Sequence, residues 1–110
     1  MKIPDDALIA AEKITHYLLV ERPWDDKAKY LAQGGFQRGN PEALVAALRE
    51  LAAAVEAVDD GANDYGAFLR TDGDLVGLNG RRMAVTAIWL RHHRDGVVRF
   101  VTLKPRRERT

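Results

Sequence analysis

The stretch YGAFLRTDGDLVGLNGRRMAVTAIWLRHHRDGVVRFVTL, residues 65–103, mixes apolar and polar side chains in strand-like rhythm and is punctuated by Asp72-Gly73, Asn79-Gly80 and Asp95-Gly96. Each dipeptide can supply the positive φ of a tight hairpin turn, so three turns joining four successive strands are expected. The expected strand cores are residues 65–70, 75–78, 82–90 and 97–103, with Gly77 marking a bulge or a close backbone approach. Met83, Val85, Ala87 and Trp89 interleave with Ala84, Thr86, Ile88 and Leu90. The third strand thus has little polar character on either face and is expected at the centre of the sheet, since an edge would need protection.

Upstream the rhythm is helical. Ala7, Ala10, Ala11, Ile14, Tyr17 and Leu18 recur at helix spacing and predict a first helix over 5–19. Glu21-Arg22-Pro23-Trp24 breaks it, because the residue before a proline is pushed out of the α region. Asp25 then caps a short second helix over 26–33, which Gly34 and Gly35 end. The third helix starts at Asn40-Pro41, an N-cap followed by a proline at the first helical position, and carries the stripe Leu44, Leu48, Leu51, Val55, Val58. Residues 59–64 read as the connecting loop. The fold class expected is α+β, with three N-terminal helices packed on a C-terminal four-stranded antiparallel meander.

At 110 residues and 46% hydrophobic composition the chain suits one core. The expected organisation is a single domain over 1–104 with a frayed basic tail over 105–110, whose charges cannot bury much apolar area. The absence of cysteine excludes disulfides, thiolate nucleophiles and cysteine-ligated metals. No run approaches the ~20 apolar residues of a membrane span and the start lacks a signal-peptide layout, so a cytoplasmic protein without a membrane partner is expected. The net charge of +1 conceals a division: residues 1–64 carry 7 basic and 12 acidic side chains, and residues 65–110 carry 10 and 4, giving −5 and +6. Such asymmetry orients the second half toward phosphate or an acidic partner, or lets the two halves attract each other.

Several segments taken together resemble an uncharacterised bacterial family known as a domain of unknown function. The carriers are Tyr17-Leu18-Leu19, Pro23, Lys27-Ala28-Lys29-Tyr30 and Gly35-Phe36, then Gly73-Asp74-Leu75, Gly80-Arg81, Ile88-Trp89 and Val101-Thr102-Leu103-Lys104-Pro105. The match spans nearly the whole chain. The resemblance implies small stand-alone proteins or domains attached to phage or toxin-like proteins, and through them a fold-level analogy with RNase toxins of the barnase and colicin group. Where that family has a histidine before the proline, this chain has Arg22, which puts any activity resting on that histidine in doubt.

An RNase of that type needs a base, an acid and cations for the pentavalent phosphate. His92 and His93, flanked by Arg91 and Arg94, are the titrating candidates, with Arg99 and Lys27 as phosphate ligands. Arg82 is a candidate neighbour of Arg99, and Lys29 a weaker candidate than Lys27. Arg99 and Thr102 stand three apart on one strand, which in a regular strand places them on opposite faces. Trp24, Tyr30, Phe36 and Trp89 have the chemistry to stack on bases, but beside apolar periodic segments they read as core or lid, Trp89 above all. His16 reads as an interfacial helix residue, and the spacing of the three histidines matches no zinc pattern. Neither a phosphate loop, a dinucleotide fingerprint nor a nucleophile elbow is present, so no cofactor and no metal are expected.

Two functions compete on these observations. One is a protein-interaction module engaging a neighbouring-gene product or another copy of itself through the sheet or the alanine-rich helix. The other is a metal-independent RNase or RNA-binding domain using the basic second half. Whether the chain is an enzyme stays open at this point.

Overall fold

The computed structural model describes residues 2–14, 19 and 27–106. The elements run α1 (Ala11–Lys13), α2 (Lys27–Ala32), α3 (Pro41–Ala54), β1 (Val58–Ala62), β2 (Gly66–Val76), β3 (Arg82–His92) and β4 (Val98–Pro105). The four strands form one antiparallel sheet in the order β1-β2-β3-β4, so the expected meander and the α+β class hold. Three N-terminal helices do not: among the described residues only α2 and α3 exceed a single turn.

The expected first helix does not form over residues 5–10, where Leu8 pairs with the sheet instead. The N–H of Leu8 donates to the Val98 carbonyl at 2.9 Å and the Leu8 carbonyl accepts from the Phe100 N–H at 2.8 Å, a parallel bridge on the free edge of β4. A strand edge with unpaired N–H and C=O groups recruits such partners, and here it overrides a helical pattern of alanines. Of the apolar face expected for that helix, Ala7 and Ile14 are buried and Ala10 is exposed, while Ile3, outside that face, is buried as well. The expectations that rest on Tyr17, Leu18, Arg22, Pro23, Trp24, Asp25, Asp26, His16 and residues 107–110 lie outside the described residues.

Helix α3 forms as its sequence dictates. Leu44, Ala47, Leu48, Leu51 and Ala52 are buried at helical spacing and Pro41 sits in the first turn. Asn40 occupies the N-cap position, but its side chain does not cap the helix. It ties the preceding turn, accepting from the Gln37 N–H at 2.9 Å and donating to the Gly35 carbonyl at 3.3 Å. The helix ends before Val58, because Val55 turns extended and the chain enters β1, which pairs Val58 with Arg70 and Asp59 with Leu69. The switch from helical to strand rhythm therefore falls at residue 58, and the segment expected to be a loop contains an edge strand.

Asp72-Gly73 is not a turn. It lies inside the 11-residue strand β2, which merges the first two expected strands. Gly73 faces α3, and a Cβ there would stand 2.6 Å from Leu51 Cδ1 and 3.2 Å from Val55 Cγ1. The glycine answers a packing demand rather than a dihedral one. The turn between β1 and β2 is built by Asn63, whose Oδ1 accepts the N–H groups of Tyr65 at 2.9 Å and Gly66 at 3.0 Å. Gly77 makes the close approach expected of it, since a Cβ would come 2.5 Å from the Gly34 carbonyl oxygen. The Asn79-Gly80 and Asp95-Gly96 turns occur as read, with Gly80 and Gly96 at φ 80° and 70°.

The core lies between the helices and one face of the sheet, where Leu69, Leu75, Met83, Val85, Ala87, Trp89, Val98, Phe100 and Leu103 meet Ile14, Leu31, Leu44, Leu48 and Leu51. Trp89 is inside as expected. Its ring meets Phe100 edge-on at 5.4 Å, and its Nε1–H donates to Thr71 Oγ1 at 3.0 Å. Among the described residues no helix is long and apolar enough to cross a membrane.

Candidate functional site: the outer face of the sheet

Strand alternation sends every second side chain away from the core, and the register shows which ones line up. Phe68 stands opposite Leu90, which stands opposite Arg99. Arg70, Ile88 and Thr102 form the next row, followed by Asp72, Thr86 and Lys104. All of these are half-buried except Lys104, which is exposed. The helices pack against the opposite face, so the outer face presents Phe68, Ile88 and Leu90 as a partly exposed apolar strip.

A bulge in β4 creates this arrangement. Ile88 pairs with Thr102 while its neighbour Trp89 pairs with Phe100, leaving Val101 as the extra residue. One inserted residue reverses the alternation, so Arg99 and Thr102 share the outer face, contrary to the parity of a regular strand. Nothing in the local sequence announces the bulge. It is anchored from outside the strand, where Lys13 Nζ donates to the Val101 carbonyl at 3.2 Å. Lys27 Nζ reaches Thr102 Oγ1 at 3.4 Å, bringing α2 to the same corner.

The other residues singled out from the sequence separate. His92 ends β3 opposite Gly66, half-buried and on the side of Leu90, so it is a diagonal neighbour of Arg99. His93 belongs to the turn and is exposed, and so is Lys29 on α2. Arg82 is not a partner of Arg99: it begins β3, eight residues from the position opposite Arg99, about 27 Å away along the strand. Its nearest carboxylate is Asp74, at 4.0 Å. Phe36 is buried in the core, and the Tyr30 hydroxyl donates to the Ala84 carbonyl at 2.9 Å, so both aromatics are structural here.

Arg99 is already engaged. Its guanidinium grips Asp95 across the β3–β4 turn, NH2 to Oδ2 at 3.0 Å and NH1 to Oδ1 at 3.4 Å. That hydrogen bond, followed by the Val97 N–H, lowers the Asp95 carboxyl from 3.8 to about 2. A phosphate would have to compete with this carboxylate for the same fork.

A second network went unnoticed in the sequence because Asp72-Gly73 read as a turn. Asp72 Oδ1 accepts from Thr86 Oγ1 at 2.6 Å, Asp72 Oδ2 accepts from Arg70 Nε at 2.8 Å, and Arg70 NH1 reaches Asp60 at 3.3 Å. Burial pushes the Asp72 carboxyl up, but the Thr86 and Arg70 hydrogen bonds together hold it below its ordinary value. The recoverable signal was the pair Arg70 and Asp72 at strand spacing.

Strand order turns the chain's charge division into a gradient across the sheet. β1 and β2 carry Asp59, Asp60, Asp72 and Asp74 against Arg70, a sum of −3. β3 and β4 carry Arg82, Arg91, Arg99 and Lys104 with no carboxylate, a sum of +4. The apolar strip runs between the two halves. On the helix side a cavity of about 200 Å³ opens between the N-terminal segment and α3, lined by Ile3, Pro4, Ala7, Arg49, Ala52 and Trp89, remote from the outer face. Among the described residues no group of three His, Asp or Glu side chains is placed to hold a metal ion.

The family model of a domain of unknown function, DUF6883, matches residues 2–107. Among curated proteins none matches the chain. Among solved structures the chain is similar to one in the contact-dependent growth inhibition toxin–immunity protein complex from Klebsiella pneumoniae 342. The TM-score is 0.66 at 17% identity, over 94% of this chain and 96% of that one. The kinship expected from the motifs is thus present, and the fold extends to a toxin–immunity complex; at this identity the likeness is one of fold.

Proposed function

We propose that this chain, which belongs to the DUF6883 family of unknown function, is a protein-interaction domain that receives its partner on the outer face of the sheet. The observation that carries the reading is the strip of Phe68, Ile88 and Leu90, partly exposed on the outer face between Asp60, Asp72 and Asp74 with Arg70, a sum of −2, and Arg82, Arg99 and Lys104, a sum of +3. Apolar anchors ringed by fixed charges suit a protein surface of complementary polarity, which gains affinity from the anchors and orientation from the charges. A polyanion would be drawn to β3 and β4 and repelled by β1 and β2. The likeness to a protein of a toxin–immunity complex supports a partner of this kind, encoded beside the chain, or a second copy. The lack of cysteine agrees with a cytoplasmic place of work.

The test is complex formation with the neighbouring gene's product, and self-association, by light scattering and calorimetry. Leu90→Glu alters a half-exposed position and should leave the fold intact while weakening the complex at least tenfold. Unchanged binding by Leu90→Glu and by Phe68→Glu would move the interface elsewhere.

A second reading is kept for one reason: the bulge puts Arg99 and Thr102 on one face, with Lys27 against Thr102 and His92 diagonal to Arg99. In an RNA-cleaving domain His92 would face a phosphate held by Arg99 and Lys27, and His93 would stay a turn residue. The Arg99–Asp95 fork weighs against it. RNA cut by the purified protein at low salt, with the cutting lost in His92→Ala, would establish this reading over the first.

A further inference from the structure

The two edges of the sheet are treated differently. At β4, Leu8 bridges Val98 and Phe100, and Lys13 takes the Val101 carbonyl. At the other edge, β1 pairs only with β2 among the described residues, and all five of its residues are exposed, Val58 to 47%. A strand with one side unpaired offers alternating N–H and C=O groups to any extended chain that reaches it. We infer that the outer edge of β1 accepts an extended, basic segment of another protein as an additional strand.

The charge around the edge chooses the occupant. Residues 56–64 contain four acidic side chains and no basic one. Asp59 and Asp60 are adjacent on β1 and so project to opposite faces, which lets an incoming strand with Lys or Arg at neighbouring positions find a carboxylate on either side. Asp60 also holds Arg70 at 3.3 Å, which fixes one of the two carboxylates in place. A second copy of this chain is a poor occupant on both available edges. Two β1 strands paired about a twofold axis would bring Asp59 and Asp60 against their counterparts, a like-charge contact. A copy's β4 is basic enough, with Arg99 and Lys104, but its edge is occupied by Leu8. The register irregularity between Asp59 and Ala62, with Gly61 at φ 95°, limits regular pairing to the start of the strand. A short augmenting segment is therefore expected, and β1 is protected against indiscriminate sheet growth. This edge is a different surface from the outer face, so it stands or falls separately.

The experiment uses the whole chain, labelled for NMR, with three eight-residue peptides: one alternating Lys with Val or Thr, one with Glu replacing Lys, and the basic one N-methylated at alternate residues. The expected result is binding of the basic peptide alone, with amide shifts centred on residues 58–60 and slowed hydrogen exchange there. Asp59→Lys should weaken it at least tenfold without altering the rest of the spectrum. Equal binding of the N-methylated peptide would mean charge attraction without strand addition and would overturn the inference. So would shifts centred elsewhere, absence of binding at millimolar peptide, or self-association mapped to β1.

Discussion

Replacing Thr71 by Val tests whether the core is held by a specific polar contact as well as by apolar packing. Thr71 is the buried polar residue among the described core positions, fully buried at 0% exposure, and its Oγ1 accepts the Trp89 Nε1–H at 3.0 Å. Among the described residues no buried side-chain nitrogen or oxygen lacks a partner. Valine keeps the shape but leaves the indole N–H, on a residue 1% exposed, with nothing to donate to. The cost of such an orphaned donor is about 1–3 kcal/mol, which at a urea slope of about 2 kcal/mol per molar lowers the unfolding midpoint by about 0.5–1.5 M. Trp89→Phe removes the donor but also part of a ring packed edge-on to Phe100 at 5.4 Å, so on its own it should cost on the order of 2 kcal/mol. In Thr71→Val/Trp89→Phe donor and acceptor leave together. The double variant should therefore be more stable than the sum of the single effects predicts, by roughly 1 kcal/mol. The assay is urea denaturation followed by far-ultraviolet circular dichroism for all four proteins of the cycle. A neutral Thr71→Val, or single effects that add to within about 0.3 kcal/mol, would refute the reasoning.

Gly73→Ala should destabilise by about 1–3 kcal/mol through the contact with Leu51 at 2.6 Å, and part of the loss should return in Gly73→Ala/Leu51→Val, read from urea midpoints. Deleting Val101 removes the bulge, so either Leu103 or Val98 and Phe100 must leave the core; a loss of about 2–5 kcal/mol is expected, whereas Val101→Ala, which keeps the residue count, should be milder. Because the Asp95 carboxyl is lowered from 3.8 to about 2, its pairing with Arg99 contributes fully above about pH 3.8 and is lost as pH falls toward 2. In Arg99→Ala a carbon-13 NMR titration should find the Asp95 carboxyl moved up toward 3.8, and an unmoved midpoint would contradict the assigned cause.

The parts of the fold legible in the chain were those whose signal is local. Asn79-Gly80 and Asp95-Gly96 bend where they do because glycine tolerates the positive φ, and Leu44, Leu48 and Leu51 repeat with the helix that buries them. Motif order was enough for the family. The failures were positions where a distant partner overrode a local preference. Asp72-Gly73 has the composition of a turn, yet α3 needs the missing Cβ and Asp72 needs Thr86, so the strand runs straight through. Residues 5–10 have a helical pattern, yet the β4 edge claims Leu8.

The candidate site divides along the same line. The chemical inventory, with His92, Arg99 and Thr102 in a basic second half and Lys27 in the acidic first, can be read from residue types, because charge belongs to side chains wherever they lie. Which of them share a face cannot, because strand parity depends on the count of residues between them and a single unpaired Val101 inverts it. The acid-to-base gradient across the sheet likewise requires strand order, which places β1 and β4 at opposite edges. Composition supplied the charges, and long-range hydrogen bonding between strands arranged them.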